Sequence, residues 1–161
     1  MTGVQTCALP IWRDLAGQLS ASFIFPVAAM SNVAQGAAAL SVLLILRKDN
    51  KMKGIASASG ISALLGITEP AIFGVNLKLR YPFFGAMIGS AVGSAYVMLT
   101  KVLAISPGAA GLPGIISIRP ISIVNYIIAM ILSMSVAFIS TIVIAKFMNK
   151  KEVLNNNQLA A

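Results

Sequence analysis

The stretch Gly66-Ile67-Thr68-Glu69-Pro70 decides how this chain folds, because Glu69 is the only acidic side chain between membrane-grade apolar segments. Asp14, Asp49 and Glu152 lie near the chain ends or in a charged loop. An ionised carboxylate at mid-bilayer costs roughly 2.5 to 3.5 kcal/mol on insertion scales, so such a residue normally faces a cavity or a ligand. Glu69 is therefore the first candidate for function. Gly66 can end one short helix and Pro70 is suited to begin the next, which predicts Thr68 and Glu69 on broken backbone. At membrane depth such a break is tolerated only beside protein or water.

The surroundings fit that setting. The chain has 161 residues, of which 58% are hydrophobic and 10% charged, and its mean hydropathy of +0.89 exceeds what a soluble domain carries. A net charge of +8 could point to nucleic acid, yet the basic residues cluster at the ends of apolar runs. That is a topology signal, so membrane lipid is the expected environment and nucleic acid is not an expected partner. The sequence has no His and one Cys, Cys7. Metal clusters, His general bases, a phosphohistidine and intrachain disulfides are thereby excluded, and no cofactor or metal is expected.

Residues 1–12 (MTGVQTCALPIW) lack a basic start, carry too short an apolar run and contain Pro10, so they do not read as a signal peptide. They are expected to be a non-native leader, with the N-terminal half of a longer protein missing. Ser22 to Leu46 is a predicted span, with Pro26, Ser31, Asn32 and Gln35 inside it. Asn32 and Gln35 share a face, where their amides can meet a sugar or bond a neighbouring helix; the residues leave both readings open. Arg47 to Lys53 is a basic loop, placed in the cytoplasm by the positive-inside rule. Gly54 to Leu65 would reach only ~18 Å against a ~30 Å core, so it cannot span alone. A second short piece, Ala71 to Leu77, runs straight into Lys78 and Arg80. Basic residues on both sides of two half-length segments predict a re-entrant hairpin with Thr68 and Glu69 at its tip.

Phe83 to Ile105 is the next span, with Gly85, Gly89 and Gly93 as a small-residue packing face and Lys101 able to snorkel at the far end. Ser106 to Pro120 is a Gly/Pro-punctuated connection, expected outside and folded partly back into the protein. Ile121 to Ala145 spans again, Lys146, Lys150 and Lys151 mark a cytoplasmic end, and residues 151–161 read as a polar cytoplasmic tail, expected to be mobile from Asn155 onward. The parity then closes with every basic cluster on one side. The expected fold is all-α integral membrane, with three transmembrane helices plus one re-entrant helical hairpin.

At the tip, a carboxylate can accept hydrogen bonds from two adjacent hydroxyls of a neutral polyol. Thr68 adds a hydroxyl and broken backbone adds amides, as at the discontinuous helices of transporters. Two readings compete. Glu69 could only cap the helix that begins at Pro70, although Ser or Asn would do so at lower desolvation cost. It could instead be the titrating site of a proton- or ion-coupled secondary transporter, although it has no intramembrane ionisable partner for a relay.

The run from Gly66 through Pro70 to Phe83 (GITEPAIFGVNLKLRYPF) closely resembles the membrane subunit, enzyme IIC, of bacterial sugar phosphotransferase systems of the glucose superfamily. Asn32 to Ala38 (NVAQGAA) and Gly111 to Ile118 (GLPGIISI) are similar to its sucrose and trehalose branch, sucrose first. The resemblance covers residues 13–150 and implies the C-terminal part of an enzyme IIC sugar-transport domain. It implies that Glu69 binds the sugar with Thr68 assisting. It also implies a cytoplasmic enzyme IIB domain whose phosphocysteine phosphorylates the sugar, and a homodimeric parent. The family's His-bearing hairpin and its phosphocysteine are absent, so no catalytic residue is expected here, although the parent system is a protein-N(pi)-phosphohistidine–sugar phosphotransferase. The expected location is the bacterial plasma membrane, with the C-terminus cytoplasmic.

Overall fold

The computed structural model describes residues 24–46, 50–105 and 111–159. The leader 1–12 with Cys7, and Arg47 to Asp49 of the basic loop, lie outside them. Among the described residues the fold is helical, with a single isolated antiparallel bridge between Ala104 and Ile118 and no β-strand. Helix α1 is Ile24–Ile45, α2 is Asn50–Leu64, and α3 is the arm made of Glu69–Ala71, a π-helical turn Ile72–Asn76 and Leu77–Leu79. Helix α4 is Tyr81–Leu99 and α5 is Ile123–Leu159. Short 3₁₀ turns, Leu112–Ser117 and Pro120–Ser122, connect the last two.

Among the described residues three segments are long and apolar enough to cross a membrane: Ile24–Ile45, Tyr81–Leu99 and Pro120–Met148. Pro26, which has no N–H to give to a helical bond, is the third described residue of α1 and is buried. Helix α2, with 15 residues, is about 22 Å long and falls short of a ~30 Å core. Gly74 lies against Ile55, so α3 folds back along α2.

Several boundaries differ from expectation for identifiable reasons. Helix α2 starts at Asn50 rather than Gly54, because Met52 is buried and draws the first turn onto the core. Helix α4 starts two residues early, since Pro82 suits a first turn. It stops at Leu99, where Lys101 N–H donates to Met98 O at 3.2 Å and Val102 N–H to Val97 O at 3.1 Å. This is a Schellman closure with Lys101 at φ 50 in the place glycine usually takes. The expected polar tail is instead the continuation of α5, which runs through Lys146 and Lys151 to Leu159. No Gly or Pro follows Pro120, and Lys, Glu, Leu and Gln are good helix formers.

Close backbone approach holds the bundle together. Gly85, Gly89 and Gly93 of α4 face Thr141, Ala137 and Ser133 of α5, an antiparallel register kept over three successive contacts. A Cβ on Gly89 would lie 2.7 Å from Ala137 Cα, and one on Gly85 would lie 2.9 Å from Thr141 Cα. The contact is also polar: Ser133 Oγ lies 3.0 Å from Gly89 O and 3.2 Å from Met30 O, and Ser140 Oγ donates to Gly85 O at 3.1 Å. Helices α1 and α2 repeat the device, with a Gly36 Cβ position 3.0 Å from Gly60 O. At one end Phe25, Val97, Val102, Ile118 and Tyr126 share a core; at the other, Val42 and Val75 pack with Leu46, Leu79 and Tyr81.

Gly89→Ala should destabilise the purified protein by about 1–3 kcal/mol, the usual range for forcing a methyl into a packed contact. Gly54→Ala, whose Cβ meets nothing within 4 Å, should be neutral or up to about 1 kcal/mol stabilising. Thermal unfolding in detergent checks both, and equal effects at the two sites would contradict the ladder.

Candidate functional site

The turn between α2 and α3 satisfies its own backbone. Gly66, at φ 102, donates its N–H to Ala63 O at 3.0 Å, and Ile67 N–H donates to Ser62 O at 3.0 Å. This is the Schellman closure that the Gly66 reading requires. Ser62 Oγ adds a bond to Ile67 O at 3.1 Å. Thr68 is the N-cap of α3, yet its hydroxyl makes no capping bond; its carbonyl accepts Ile72 N–H at 2.9 Å.

Glu69 was expected on broken backbone and is instead the first helical residue, with Pro70 beside it in the same turn. The reason is local. Proline's fixed φ is preformed for the first helical turn, and a carboxylate there is favoured by the helix dipole. Glu69 is exposed, Thr68 is half-buried, and the Glu69 carboxylate has no hydrogen bond or ion pair with any other described residue. The backbone is closed while both side chains stay unspent.

The connection after α4 folds back onto this turn. Gly111, at φ 110, sits so close that a Cβ would lie 2.5 Å from Leu64 O and 3.1 Å from Gly66 N. Tyr126 Oη donates to Gly111 O at 3.3 Å, fixing that approach from α5.

The two amides of α1 part company. Asn32 is half-buried. Gln35, 9% exposed, accepts from Asn76 Nδ2 through its Oε1 at 2.5 Å, and the same Nδ2 lies 3.2 Å from the Gln35 carbonyl. Helix-to-helix bonding is thus present at Gln35. No hydrogen bond joins either amide to Glu69 or Thr68 among the described residues. Asn76 is the residue that sequence reasoning missed. It is fully buried, and its Oδ1 has no partner among the described residues. The signal available was a lone amide closing the apolar run Ile72-Phe73-Gly74-Val75. Surface hollows of about 350 Å³ along Leu44, Ile45, Ile142, Ala145 and Lys146, and about 330 Å³ along Met134, Ser135, Phe138 and Ile139, contain no residue of the turn.

With this geometry in place, comparison with known proteins is informative. Residues 4–91 match the family described as "Phosphotransferase system, EIIC". The chain is 51% identical over 149 residues to a "PTS system sucrose-specific EIIBC component" of Pasteurella multocida, covering 91% of this chain and 31% of that protein. Its counterpart of the same name from Staphylococcus xylosus is 58% identical over 73% of this chain and 25% of its own length. A "PTS system trehalose-specific EIIBC component" of Bacillus subtilis is 44% identical over 93% and 32% respectively. The chain therefore spans between a quarter and a third of these relatives. No solved structure matches the chain.

Gly66→Ala should lower stability by about 1–2 kcal/mol, the cost of holding an L-residue in the left-handed region. Gly111→Ala should cost more, because its Cβ would in addition meet Leu64 O at 2.5 Å. Ranking the two by thermal unfolding tests the clasp; a milder Gly111 variant would rule it out.

Proposed function

The chain belongs to the EIIC family of the phosphotransferase system, and from that premise we propose that it is the sugar-binding and translocating part of a phosphoenolpyruvate-dependent permease for a disaccharide, sucrose first. The observation that carries this reading is the unspent Glu69 carboxylate on a turn whose backbone is already closed. Such a carboxylate can accept from two adjacent sugar hydroxyls, with the uncommitted Thr68 hydroxyl as a second contact. Asn32 is a further sugar contact from α1. Gln35 serves through its Nε2, since its Oε1 is held by Asn76. The names of the relatives support sucrose, with trehalose as the neighbouring specificity.

The hairpin of α2 and α3 enters the membrane from the cytoplasm and returns to it, supported by Lys51, Lys53, Lys78 and Arg80 flanking two arms that share one core. Residues 13–150 form the transport part, and 151–161 extend into the cytoplasm with the C-terminus. The phosphoryl group comes from the phosphocysteine of an enzyme IIB domain, a partner supported by the EIIBC names of the relatives. The full-length permease works as a homodimer in the plasma membrane.

In the full-length permease Glu69→Gln keeps the shape but replaces a charge-assisted acceptor with a neutral amide. It removes part of a bond worth about 1.5 to 3 kcal/mol. Sugar affinity should fall roughly 10- to 100-fold, each factor of ten being about 1.4 kcal/mol. Binding to the purified variant across pH is the measurement. Near-normal, pH-independent affinity would reduce Glu69 to a helix cap, and retained binding with lost pH-driven accumulation would make it a proton site.

Topology is tested separately. Cysteines at Asn50, Tyr81 and Asn149 should all be shielded from impermeant thiol reagents in intact cells. Labelling at Tyr81 without labelling at Asn50 would overturn the re-entrant hairpin.

A further inference from the structure

Asn76 has no sugar-binding role in the reading above, yet it lies on the arm that carries Glu69 and is bonded to Gln35 of α1. Both partners belong to helices inside apolar runs, where a bare amide is unfavourable. Nδ2 of Asn76 reaches the Gln35 side chain at 2.5 Å and the Gln35 carbonyl at 3.2 Å, so one residue grips α1 twice. Ala71 and Val75, both fully buried, press the same arm against α1 and α2.

The π-helical turn explains how one arm presents two polar residues to different surroundings. In a regular α-helix residues seven apart stand within about 20° of each other, so burying Asn76 would bury Glu69 too. The π turn Ile72–Asn76 adds a residue and shifts the phase by roughly 100°. Asn76 thereby turns into the interface with α1, while Glu69 stays exposed at the hairpin tip.

We propose that Asn76, bonded to Gln35 across the π-helical turn, is a positioning residue that fixes the Glu69 arm against α1 and so sets sugar affinity. Asn76 touches no sugar; it acts through the placement of Glu69. The inference rests on the sugar-binding reading of Glu69, and its test separates the two. The unpartnered Asn76 Oδ1 fits this role: the geometry that secures Nδ2 leaves the second lone-pair group unmatched, a buried penalty that a purely structural position would shed by carrying Leu.

The test uses the full-length permease with all its native cysteines replaced by serine, the phosphocysteine included because binding and not phosphorylation is read, and spin labels on cysteines at Ile67 and Leu44, both exposed. In Asn76→Leu, which keeps the branched heavy-atom skeleton, and in the smaller Asn76→Ala, the distance distribution should broaden and sugar affinity should fall about 5- to 20-fold with normal membrane insertion. Gln35→Leu should reproduce the broadening and lose at least as much affinity, because it also removes the proposed Nε2 contact, and adding Asn76→Leu to it should increase neither effect. Adding Asn76→Leu to Glu69→Gln should cause no further loss of affinity. An unchanged distance distribution, or affinity losses that simply multiply, overturns the proposal. If Glu69→Gln itself binds sugar normally, the sugar reading fails, and the distance distribution alone decides whether Asn76 positions the arm.

Discussion

A polypeptide in hydrocarbon has no water to satisfy its N–H and C=O groups, so an interrupted helix must close its own backbone. The turn at Gly66 meets that requirement with bonds of its own. Two backbone bonds to Ser62 and Ala63 and one from the Ser62 hydroxyl leave the turn with little polar demand. Only because the backbone is settled internally can Thr68 and Glu69 keep their side chains uncommitted. The folded-back Gly111 then supports the turn from the opposite side, with Tyr126 holding it in place.

The same economy of polar groups shapes the rest of the bundle. Apolar side chains gain little by leaving lipid for one another, so tight backbone contact has to supply the association. The ladder Gly85, Gly89 and Gly93 against Thr141, Ala137 and Ser133 provides it. Hydroxyls on α5 point at the carbonyls that this closeness exposes, as Ser133 and Ser140 do toward Gly89 and Gly85. The hydroxyls of Ser41, Ser59, Tyr126, Ser133 and Thr141 all bond to backbone carbonyls. The amide pair Gln35–Asn76 is the departure, a side-chain bond between helices.

Much of this was legible in the residues. Apolar run length gave the three spans, Gly66 gave the end of α2, and glycines four apart gave the packing face. The start of α2 was hidden because Lys51 and Lys53 read as loop while Met52 between them is a core residue. The run of α5 past Lys146 was hidden because polarity suggests a tail, whereas helix propensity does not depend on polarity. At the site, the break after Gly66 was legible, but the helix resumes one residue sooner than the residues suggested, at Glu69. The Asn76 bond was not legible, because it needs a π turn, and no residue pattern announces a change from i→i+4 to i→i+5 bonding.

The placement of Thr68 and Glu69 also bears on why an acid stands here. If the sole requirement were to cap α3, the N-cap residue is the one positioned to meet it, and Thr is among the residues that do so well. Thr68 occupies that position and leaves its hydroxyl out of the cap. Glu69, one residue further, gains from the helix dipole no more than about 0.3–1 kcal/mol at an exposed site. That is less than the roughly 2.5 kcal/mol or more that a carboxylate costs at membrane depth. The balance is unfavourable for capping alone. The sugar contact proposed for Glu69 supplies what capping does not, because sugar hydroxyls can donate to the carboxylate.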